Sequence, residues 1–450
     1  MTYAGRRVLV AGARVAGIAS ARALLRAGAT VTVVDAAAVP ALEELAAQGA
    51  RTAVGTGLDL LAGQDEVVVS PGFAPHHPLA AAAVGKGLDV YSEPELAWRL
   101  RGPDAPAWLG ITGTNGKTTT TTMLAAILAA AGLRTAALGN VGEPLVEATG
   151  YDVLAVELSS FQLYWSRLLA PSAGVLLNLA EDHLEWHGTF EHYTSAKTNI
   201  WRAARQGAGT AVGNLDDPLV AALLGQVEGA IGFTLGPPAT GVYGVADGML
   251  VDGAGNELVE AAAVRPPGQH NVANALAAAA LAGSHGVAPA AVRAGLAGYV
   301  PQPHRNAHVD TVDGVAYVDD SKATNPHAAI GSLLAYPRIV WIAGGQLKGV
   351  DPDDLVARVA DRLAGAVLLG VDRALIGAAL TRHAPEVPVV DVSSTDDGAM
   401  GEVVRAAARL ATAGDTVLLA PAAASKDMFV SFEARGNAFA AAVRALKETS

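Results

Sequence analysis

Short runs of apolar residues alternate along the chain with segments of helical character. Near the N-terminus this pattern predicts strands at 8–10, 30–34 and 67–69, with a helix over 18–27 between the first two. Short, fully apolar strands joined by crossover helices are typical of a parallel sheet that is covered on both faces. The first part of the chain is therefore predicted to be α/β.

The same alternation continues to the C-terminus. It predicts strands at 108–111, 153–156, 175–177, 316–318, 339–342, 366–369 and 417–419, with helices that include 118–131 and 268–282. Proline-rich breaks at 101–106 and 301–303 interrupt the pattern. We therefore predict an α/β protein of three domains, with borders at 1–100, 101–300 and 301–450.

Composition narrows the function classes. The 450 residues include 31 Lys plus Arg and 43 Asp plus Glu. The formal net charge of −12 argues against a nucleic-acid or membrane-surface partner, because either needs a basic face. The absence of cysteine excludes a disulfide scaffold, a zinc ribbon and a thiol nucleophile. Without a signal-like N-terminus or a strongly apolar run of about 18 residues, we expect a cytoplasmic protein, and a monomer by default.

The most specific local motif is a glycine-rich loop between a predicted strand and a predicted helix. Its residues are Gly113, Thr114, Asn115, Gly116, Lys117 and Thr118, and Thr119 follows. In a phosphate loop, backbone N–H groups bind nucleotide phosphates, so we expect Lys117 to neutralise β- and γ-phosphate charge and Thr118 to bind Mg²⁺. Ile111 replaces the first glycine of the strict pattern, so the loop is shortened. The alternative is a plain glycine-rich turn with a surface lysine.

A carboxylate follows the next buried strand. Glu157 comes directly after the apolar run 153–156. Ligands of parallel sheets bind at the carboxyl ends of strands, so we predict that Glu157 is a metal ligand beside the phosphate loop. The alternative is a solvated glutamate at a strand end.

A second glycine-rich loop, 12–17 (GARVAG), follows the first strand. Arg14 stands where a dinucleotide-binding loop has a glycine that admits a pyrophosphate, and Asp35 ends the second strand, where an acidic residue usually binds a ribose. One alternative function is therefore a nicotinamide-dependent dehydrogenase, which leaves the phosphate loop and Glu157 unexplained. A non-enzymatic nucleotide-dependent regulator is another. Arg14 either pairs with a phosphate or lies on the surface.

These motifs and others in the same order resemble the Mur ligase family. The matching segments are 113–118 (GTNGKT), 157–162 (ELSSFQ), His183, 193–197 (YTSAK), 270–274 (HNVAN) and His304-Arg305. Members are ATP-dependent amide-forming enzymes of bacterial cell-wall precursor synthesis. The resemblance implies a Rossmann-like N-terminal domain for UDP, a central P-loop ATPase domain with a mainly parallel sheet, and a C-terminal Rossmann-like domain for an amino acid.

Within the family, segments 320–325 (DSKATN) and 421–436 resemble the members that add D-glutamate to UDP-N-acetylmuramoyl-L-alanine. The resemblance implies that ATP phosphorylates the substrate carboxylate and that the D-glutamate amine attacks the acyl phosphate. Such a reaction depends on positioning and charge neutralisation, because two anions must approach each other. The alternative is another Mur-family or folylpolyglutamate-type ligase. Residues 346–347 (QL) depart from many relatives, which leaves the shape of that loop open.

The resemblance also implies two Mg²⁺ ions. Thr118 and Glu157 would hold the first ion, and His183 and a carbamoylated Lys197 the second. Addition of CO₂ converts the lysine amine into a carboxylate-like anion, which suits a hard cation. Without the resemblance, His183 would be interpreted as a hydrogen-bonded loop histidine and Lys197 as an exposed helix lysine.

Further binding residues follow from the resemblance alone. The ATP site would add Asn271, Asn274, Arg305 and Asp320, and Lys322 would act near the transferred phosphoryl group. The D-glutamate pocket would consist of Thr324, Lys348, Ser425 and Phe432. The UDP substrate would contact Arg14, Asp35, Ser70, Pro71, Gly72, Asn140, Ser159 and Gln162. Alternatives are N-capping for one of the two asparagines, a surface position for Lys348 and a core position for Phe432.

Overall fold

The computed structural model describes residues 2–394 and 396–449. The chain divides into two compact units. The first runs to Ala261 and includes Ala273–Tyr299, and the second consists of Ala262–Val272 and the chain from Val300 onward. Three mainly parallel sheets carry helices between their strands, which confirms the predicted α/β fold class. Among the described residues, every helix is too short or too polar to cross a lipid bilayer.

The first sheet is parallel and covered on both faces. Its strands are β1 (Arg7–Ala11), β2 (Thr30–Asp35), β3 (Arg51–Val54), β4 (Glu66–Val69) and β5 (Asp89–Tyr91), and its helices are α1 (Val15–Arg26), α2 (Pro40–Ala47), α3 (Pro78–Gly85) and α4 (Glu93–Leu100). The strand order is β3-β2-β1-β4-β5. Alternate residues of β1 pack into two different hydrophobic clusters, one on each face. The sequence pattern missed the short edge strands β3 and β5.

The second sheet is the largest. Its strands are β6 (Ala107–Thr112), β7 (Ala137–Gly139), β8 (Val153–Glu157), β9 (Ala173–Leu176), β10 (Thr210–Asn214), β11 (Ile231–Phe233), β12 (Val242–Ala246), β13 (Met249–Val251) and β14 (Glu257–Glu260). Their order is β14-β13-β12-β11-β10-β9-β6-β8-β7. The pairs β12–β13 and β13–β14 are antiparallel, whereas β6 pairs in parallel with both β8 and β9. The phosphate loop therefore follows a central, buried strand.

Helices accompany this sheet along the chain. They are α5 (Lys117–Ala130), α6 (Ser160–Tyr164), α7 (Leu184–His187), α8 (Phe190–Thr198), α9 (Arg202–Arg205), α10 (Pro218–Leu224), α11 (Gln269–Ser284) and α12 (Pro289–Ala297). Two of these helices were predicted: α5 lies close to the predicted helix 118–131, and α11 lies close to the predicted helix 268–282. Short 3-10 helices occur at Leu58–Leu61, Leu145–Glu147, Asn199–Trp201, Ala261–Ala263, Ala360–Arg362 and Asp397–Ala399.

The third sheet belongs to the second unit. Its strands are β15 (Ala307–Val312), β16 (Val315–Asp319), β17 (Ile339–Gly344), β18 (Leu363–Leu369), β19 (Val389–Asp391) and β20 (Thr416–Leu419), and its helices are α13 (Pro326–Leu333), α14 (Asp353–Val359), α15 (Arg373–His383), α16 (Met400–Leu410) and α17 (Phe432–Thr449). The order is β15-β16-β20-β17-β18-β19, and only the β15–β16 hairpin is antiparallel among the described pairs. Hydrophobic clusters cover both faces. The domain borders at residues 100 and 300 remain a prediction.

A buried carboxylate joins the first sheet to the second within the first unit. Glu95 of α4 is fully buried and accepts a hydrogen bond from Arg99 Nε at 2.9 Å. It also accepts the backbone N–H groups of Arg167 (3.1 Å), Leu168 (3.0 Å) and Leu169 (2.9 Å), which form a turn between α6 and β9. Glu95 therefore caps a turn of the second sheet from a helix of the first.

Candidate active site

The phosphate loop lies between β6 and α5, as predicted. Gly116 has a φ of 82°, and a Cβ atom there would lie 2.4 Å from Asn274 Oδ1, so this position requires glycine. The backbone N–H of Asn115 donates to Asn178 Oδ1 at 2.8 Å. These contacts hold the loop against the start of α5, where backbone N–H groups and the helix dipole favour an anion.

Two lysines converge on one carbonyl group of this loop. Lys117 Nζ donates to Gly113 O at 2.9 Å and to Thr114 O at 2.8 Å. Lys197 Nζ donates to the same Gly113 O at 2.7 Å. Lys197 is buried, and burial lowers its pKa well below the ordinary lysine value, with a further decrease from the charge of Lys117. The structure therefore brings two predicted catalytic residues together.

Two interpretations of Lys197 were open, a metal ligand and an exposed helix lysine. The surroundings of its side chain decide against the second. Its amine lies 4.7 Å from the centroid of the Tyr193 ring, one turn earlier on α8. Tyr193 Oη lies 2.9 Å from Thr114 Oγ1, so α8 also contacts the phosphate loop. The exposed-lysine alternative is wrong.

Glu157 is the last residue of β8 and is 1% exposed. Its Oε1 accepts a hydrogen bond from Asn140 Nδ2 at 2.8 Å. Within the described part of the chain, its Oε2 is buried without a hydrogen-bond partner. Because a buried carboxylate oxygen is costly when unpaired, this atom fits a cation ligand, and the solvated-glutamate alternative is wrong. Thr118, in the first turn of α5, is also buried.

His183 lies at a less enclosed position. It precedes α7 with a φ of 54°, and its side chain is 43% exposed. Its ring lies 4.8 Å from the Phe161 ring, between centroids, and its nitrogens lie 3.5 Å from Asp182 and from Glu185. Among the described residues, no group of three or more His, Asp and Glu side chains has the arrangement of a metal site. The metal role of His183 remains a prediction.

A buried histidine near this loop was missed by the sequence analysis. His187 Nε2 lies 3.0 Å from Ser160 Oγ, and its ring packs edge-on against Tyr193 with centroids 5.3 Å apart. Burial lowers the pKa of His187 to about 4, so it is neutral at physiological pH.

In the first sheet, Asp35 supports the glycine-rich loop 12–17. Its carboxylate accepts the backbone N–H of Ala13 at 2.8 Å and of Ala37 at 3.1 Å, and the first of these bonds lowers its pKa. A Cβ atom at Gly12 would lie 2.5 Å from Ser70 Oγ, so Ser70 lies directly against the loop. Arg14 precedes α1 and is exposed. Pro71 and Gly72 follow Ser70 at the end of β4.

Ser159 and Gln162 already have structural roles. Ser159 Oγ accepts the backbone N–H of Gln162 at 3.2 Å, and Gln162 Oε1 accepts the backbone N–H of Ser159 at 2.8 Å. This reciprocal pair is a capping box at the start of α6. The predicted contact of these two side chains with the UDP substrate remains a prediction.

Asn271 and Asn274 both lie inside α11, so neither is an N-cap. Asn274 Oδ1 accepts a hydrogen bond from Thr120 Oγ1 at 3.2 Å, which places it beside the phosphate loop. Asn271 belongs to the second unit, where its Nδ2 lies 2.9 Å from His270 Nε2. Arg305 follows His304 in the same unit.

Asp320 is buried in the second unit. Its Oδ1 accepts the backbone N–H of Asn306 at 3.1 Å, and Ser332 Oγ donates to its Oδ2. Burial raises the pKa of Asp320 to about 7. Both carboxylate oxygens therefore have protein partners, and contact with a ribose remains a prediction.

Three of the residues predicted for D-glutamate, and Lys322, which is predicted near the phosphoryl group, follow three neighbouring strands of the third sheet. Lys322 and Thr324 follow β16, Lys348 follows β17 and Ser425 follows β20. Phe432 begins α17, and the Lys322 amine lies 4.0 Å from its ring centroid. Because β16, β20 and β17 are adjacent, these loops meet at one carboxyl edge of the sheet. The Phe432 side chain is partly buried, and its ring contacts Lys322.

An antiparallel bridge joins two of these loops. Gln346 N donates to Ala424 O at 2.8 Å, and Ala424 N donates to Gln346 O at 2.9 Å. Lys348 has a φ of 55°, which a lysine rarely adopts, so the loop is sharply turned there. The segment 346–347, whose departure from relatives left the loop shape open, is thus built into the bridge through Gln346.

Arg435 organises the same edge and was not singled out in the sequence. It is 1% exposed and donates to Ser321 O at 2.9 Å, to Ala423 O at 3.0 Å and to Gly344 O at 3.4 Å. Ser321 and Ala423 lie in the loops that follow β16 and β20, and Gly344 is the last residue of β17. Burial lowers its pKa to about 10, so it remains charged.

Two family models match the chain. The Mur ligase middle domain matches residues 111–282, and the Mur ligase MurD-like, N-terminal domain matches residues 6–92. The chain is also 53% identical to UDP-N-acetylmuramoylalanine--D-glutamate ligase from Streptomyces avermitilis, over 99% of both chains. It is 53% identical to the protein of that name from Thermobifida fusca, over 99% of this chain and 100% of the other.

Solved structures share the fold at low sequence identity. A UDP-N-acetylmuramate-alanine ligase from Thermotoga maritima superposes with a TM-score of 0.60 at 18% identity, covering 99% of this chain and 100% of the other. A pseudomurein peptide ligase type C from Methanothermus fervidus gives a TM-score of 0.60 at 19% identity, covering 98% and 100%. The two structures therefore extend the fold assignment over nearly the whole chain.

Proposed function

We propose that this chain, which belongs to the Mur ligase family, joins D-glutamate to UDP-N-acetylmuramoyl-L-alanine with conversion of ATP to ADP and phosphate. The product is a peptidoglycan precursor. The observation that carries the proposal is the full-length similarity, at 53% identity, to relatives named for that reaction. The dehydrogenase and regulator alternatives offer no account of that similarity.

The phosphate loop supports the first half of the reaction. A carboxylate is a poor electrophile, and transfer of the γ-phosphoryl group of ATP gives it a leaving group. The position of Lys117 in this loop supports a role in neutralising phosphate charge, for which its amine would release the Gly113 and Thr114 carbonyls. We assign ATP to the residues predicted for it: Gly113, Thr114, Asn115, Gly116, Lys117, Thr118, Thr119, Asn271, Asn274, Arg305 and Asp320.

The residues around Glu157 fit a divalent cation. We propose that Thr118 and Glu157 hold one Mg²⁺ and that His183 and a carbamoylated Lys197 hold a second. The unpartnered Glu157 Oε2 supports the first site, and the lowered pKa of Lys197 supports the second, because only a neutral amine adds CO₂. Bound Mg²⁺ would neutralise charge on the two reacting anions. Lys197 must then leave the Gly113 carbonyl.

The UDP substrate and D-glutamate are assigned to different sheets. We assign the UDP substrate to the first sheet and its neighbours, through Arg14, Asp35, Ser70, Pro71, Gly72, Asn140, Ser159 and Gln162. We assign D-glutamate to Thr324, Lys348, Ser425 and Phe432, with Lys322 near the phosphoryl group. Domains 1–100, 101–300 and 301–450, a monomeric state and a cytoplasmic location complete the proposal. The alternative is that the chain adds the amino acid used by another Mur-family ligase instead of D-glutamate.

The test is phosphate release from ATP with UDP-N-acetylmuramoyl-L-alanine as substrate. D-glutamate is compared with L-glutamate, L-alanine and diaminopimelate, and the product is identified by mass spectrometry. We expect release and product formation with D-glutamate only. Preferential incorporation of L-alanine or diaminopimelate would contradict the assignment within the family, and release without an amino acid would favour a regulator.

A further inference from the structure

A histidine–aspartate pair lies at the carboxyl edge of the third sheet. His304 Nδ1 lies 2.6 Å from Oδ2 of Asp319, the last residue of β16. The His304 side chain is 12% exposed and the Asp319 side chain 4%. Asp319 Oδ1 accepts the backbone N–H of Ser321 at 2.9 Å. The carboxylate is therefore held in place, and the imidazole is held by the carboxylate.

Close packing builds this pair. His304 has a φ of 61°, a conformation that bulky residues rarely adopt. A Cβ atom at Gly436 of α17 would lie 2.1 Å from His304 Nδ1 and 2.6 Å from Asp319 Oδ2. Helix α17 therefore packs against the pair at Gly436, where the helix has no side chain. This packing keeps the strained backbone of His304 in a defined arrangement. Such strain is more common at functional sites than elsewhere.

The arrangement determines which imidazole nitrogen accepts a proton. An ionised aspartate accepts the Nδ1–H, so Nε2 carries the lone pair. The His304 ring lies edge-on to Phe432 with centroids 6.3 Å apart, and the Lys322 amine lies 4.0 Å from that same ring centroid. The backbone N–H of Lys322 donates to His304 O at 3.2 Å. The pair is therefore beside residues assigned to the amino acid and the phosphoryl group.

We propose that His304, oriented by Asp319, is the general base that takes a proton from the ammonium group of the incoming amino acid. The inference rests on the proposed function, because that reaction consumes a free amine. D-glutamate carries an ammonium group at neutral pH, and the nitrogen has a lone pair for attack only after losing a proton.

The reaction replaces one C–O bond by a C–N bond and releases two protons from the ammonium nitrogen. One ammonium proton moves to His304 Nε2, and the amine lone pair forms the C–N bond with the acyl carbon. The tetrahedral intermediate then breaks the C–O bond to phosphate, which leaves with the electron pair. The second nitrogen proton is lost to water as the amide forms, and His304 returns its proton to water before the next turnover.

Charged groups surround the pair on each packed element. Lys322 approaches from the loop after β16. Glu433, in the first turn of α17, interacts electrostatically with His304 and Lys322, and the buried Arg435 of the same helix interacts with Asp319. The test therefore changes His304 and Asp319 and leaves these three residues in place.

The test separates proton removal from acyl-phosphate formation. His304→Gln is assayed with ATP and UDP-N-acetylmuramoyl-L-alanine, using either D-glutamate or hydroxylamine as the nucleophile. Hydroxylamine is unprotonated at neutral pH and needs no base. We expect kcat with D-glutamate to fall by about 10²–10⁴-fold, KM for D-glutamate to change little, and hydroxamate formation to stay near the wild-type rate.

Two further measurements exclude a merely structural role. The loss in His304→Gln should shrink about tenfold for each pH unit toward the amine pKa, because free amine then replaces the base. Asp319→Asn, which favours the other tautomer, should cause a loss of the same kind. His308→Gln is the matched control, since His308 is an exposed histidine of β15 whose Nε2 lies 3.0 Å from Thr311 Oγ1.

Each outcome decides the matter. An equal loss with both nucleophiles, a loss independent of pH, or undiminished D-glutamate turnover in His304→Gln would overturn the assignment of the base. A wild-type chain that forms no hydroxamate from UDP-N-acetylmuramoyl-L-alanine would overturn the proposed function and the inference with it. A loss confined to D-glutamate and rescued by high pH supports both.

Discussion

Replacing Asp320 by asparagine should stabilise the second unit above neutral pH. The Asp320 carboxylate is buried and is bonded to the backbone N–H of Asn306 and to Ser332 Oγ. An asparagine side chain can keep both partners, because its Oδ1 accepts from Asn306 and its Nδ2 donates to Ser332. The substitution therefore removes the ionisable group without removing the hydrogen bonds.

The raised pKa of Asp320 sets the magnitude. Between the ordinary value of 3.8 and about 7, the folded chain holds a proton that the unfolded chain has released. The free energy of unfolding therefore falls as pH rises through this window, by up to about 1.4 kcal/mol per pH unit, or roughly 4 kcal/mol in all. Asp320→Asn does not ionise, so it should match the wild type near pH 4 and exceed its stability by a few kcal/mol above pH 7.

The assay is urea unfolding followed by circular dichroism at several pH values between about 4.5 and 8. Asp361→Asn, at an exposed aspartate in a 3-10 helix of the same unit, is the matched control and should show a constant difference from the wild type. A stability difference for Asp320→Asn that does not change with pH, or a variant less stable than the wild type at pH 8, would refute the argument from burial.

Three further predictions concern the first unit. Lys117→Ala should reduce phosphate release by at least about a hundredfold while circular dichroism stays unchanged, and a folded variant with near-normal release would remove the ATP-site assignment. Lys197→Arg should be inactive although its charge is kept, because a guanidinium forms no carbamate; an active variant, or no CO₂ adduct on the wild type by intact mass under bicarbonate, would contradict this role. Glu95→Ala should lower the free energy of unfolding by about 3–5 kcal/mol in urea, because it removes the shared acceptor of three backbone N–H groups and one of the carboxylates bonded to buried Arg99; a change below about 1 kcal/mol would be contrary to this expectation.

The parts that the sequence predicted well are those that depend on neighbours along the chain. The phosphate loop combines a buried strand, glycines and a helix start within residues 107–130, so local pattern was sufficient. Glu157 was predicted as a strand-end residue by the same reasoning, and β8 ends there. The edge strand β3 was missed because it is short and at most partly buried, which gives a weak apolar pattern.

The parts that escaped prediction depend on residues far apart in the chain. Arg435 meets carbonyls of Ser321, Gly344 and Ala423, and no spacing in the sequence announces that meeting. Asp320 was predicted to contact a nucleotide, and its burial against Ser332 became visible only in the fold. The local sequence pattern does not reveal how strongly a carboxylate is desolvated, because its desolvation depends on which elements pack over it.

The cap formed by Glu95 bears on how the chain can be divided. A cut near residue 100 would fall in a polar break of the sequence, yet it would separate the carboxylate from the backbone N–H groups of Arg167, Leu168 and Leu169. The fragment with the first sheet would expose a charged pair, and the remaining fragment would lose the acceptor for its turn. An exchange of N-terminal segments between relatives would therefore succeed only where the incoming α4 brings an acidic residue to the same place.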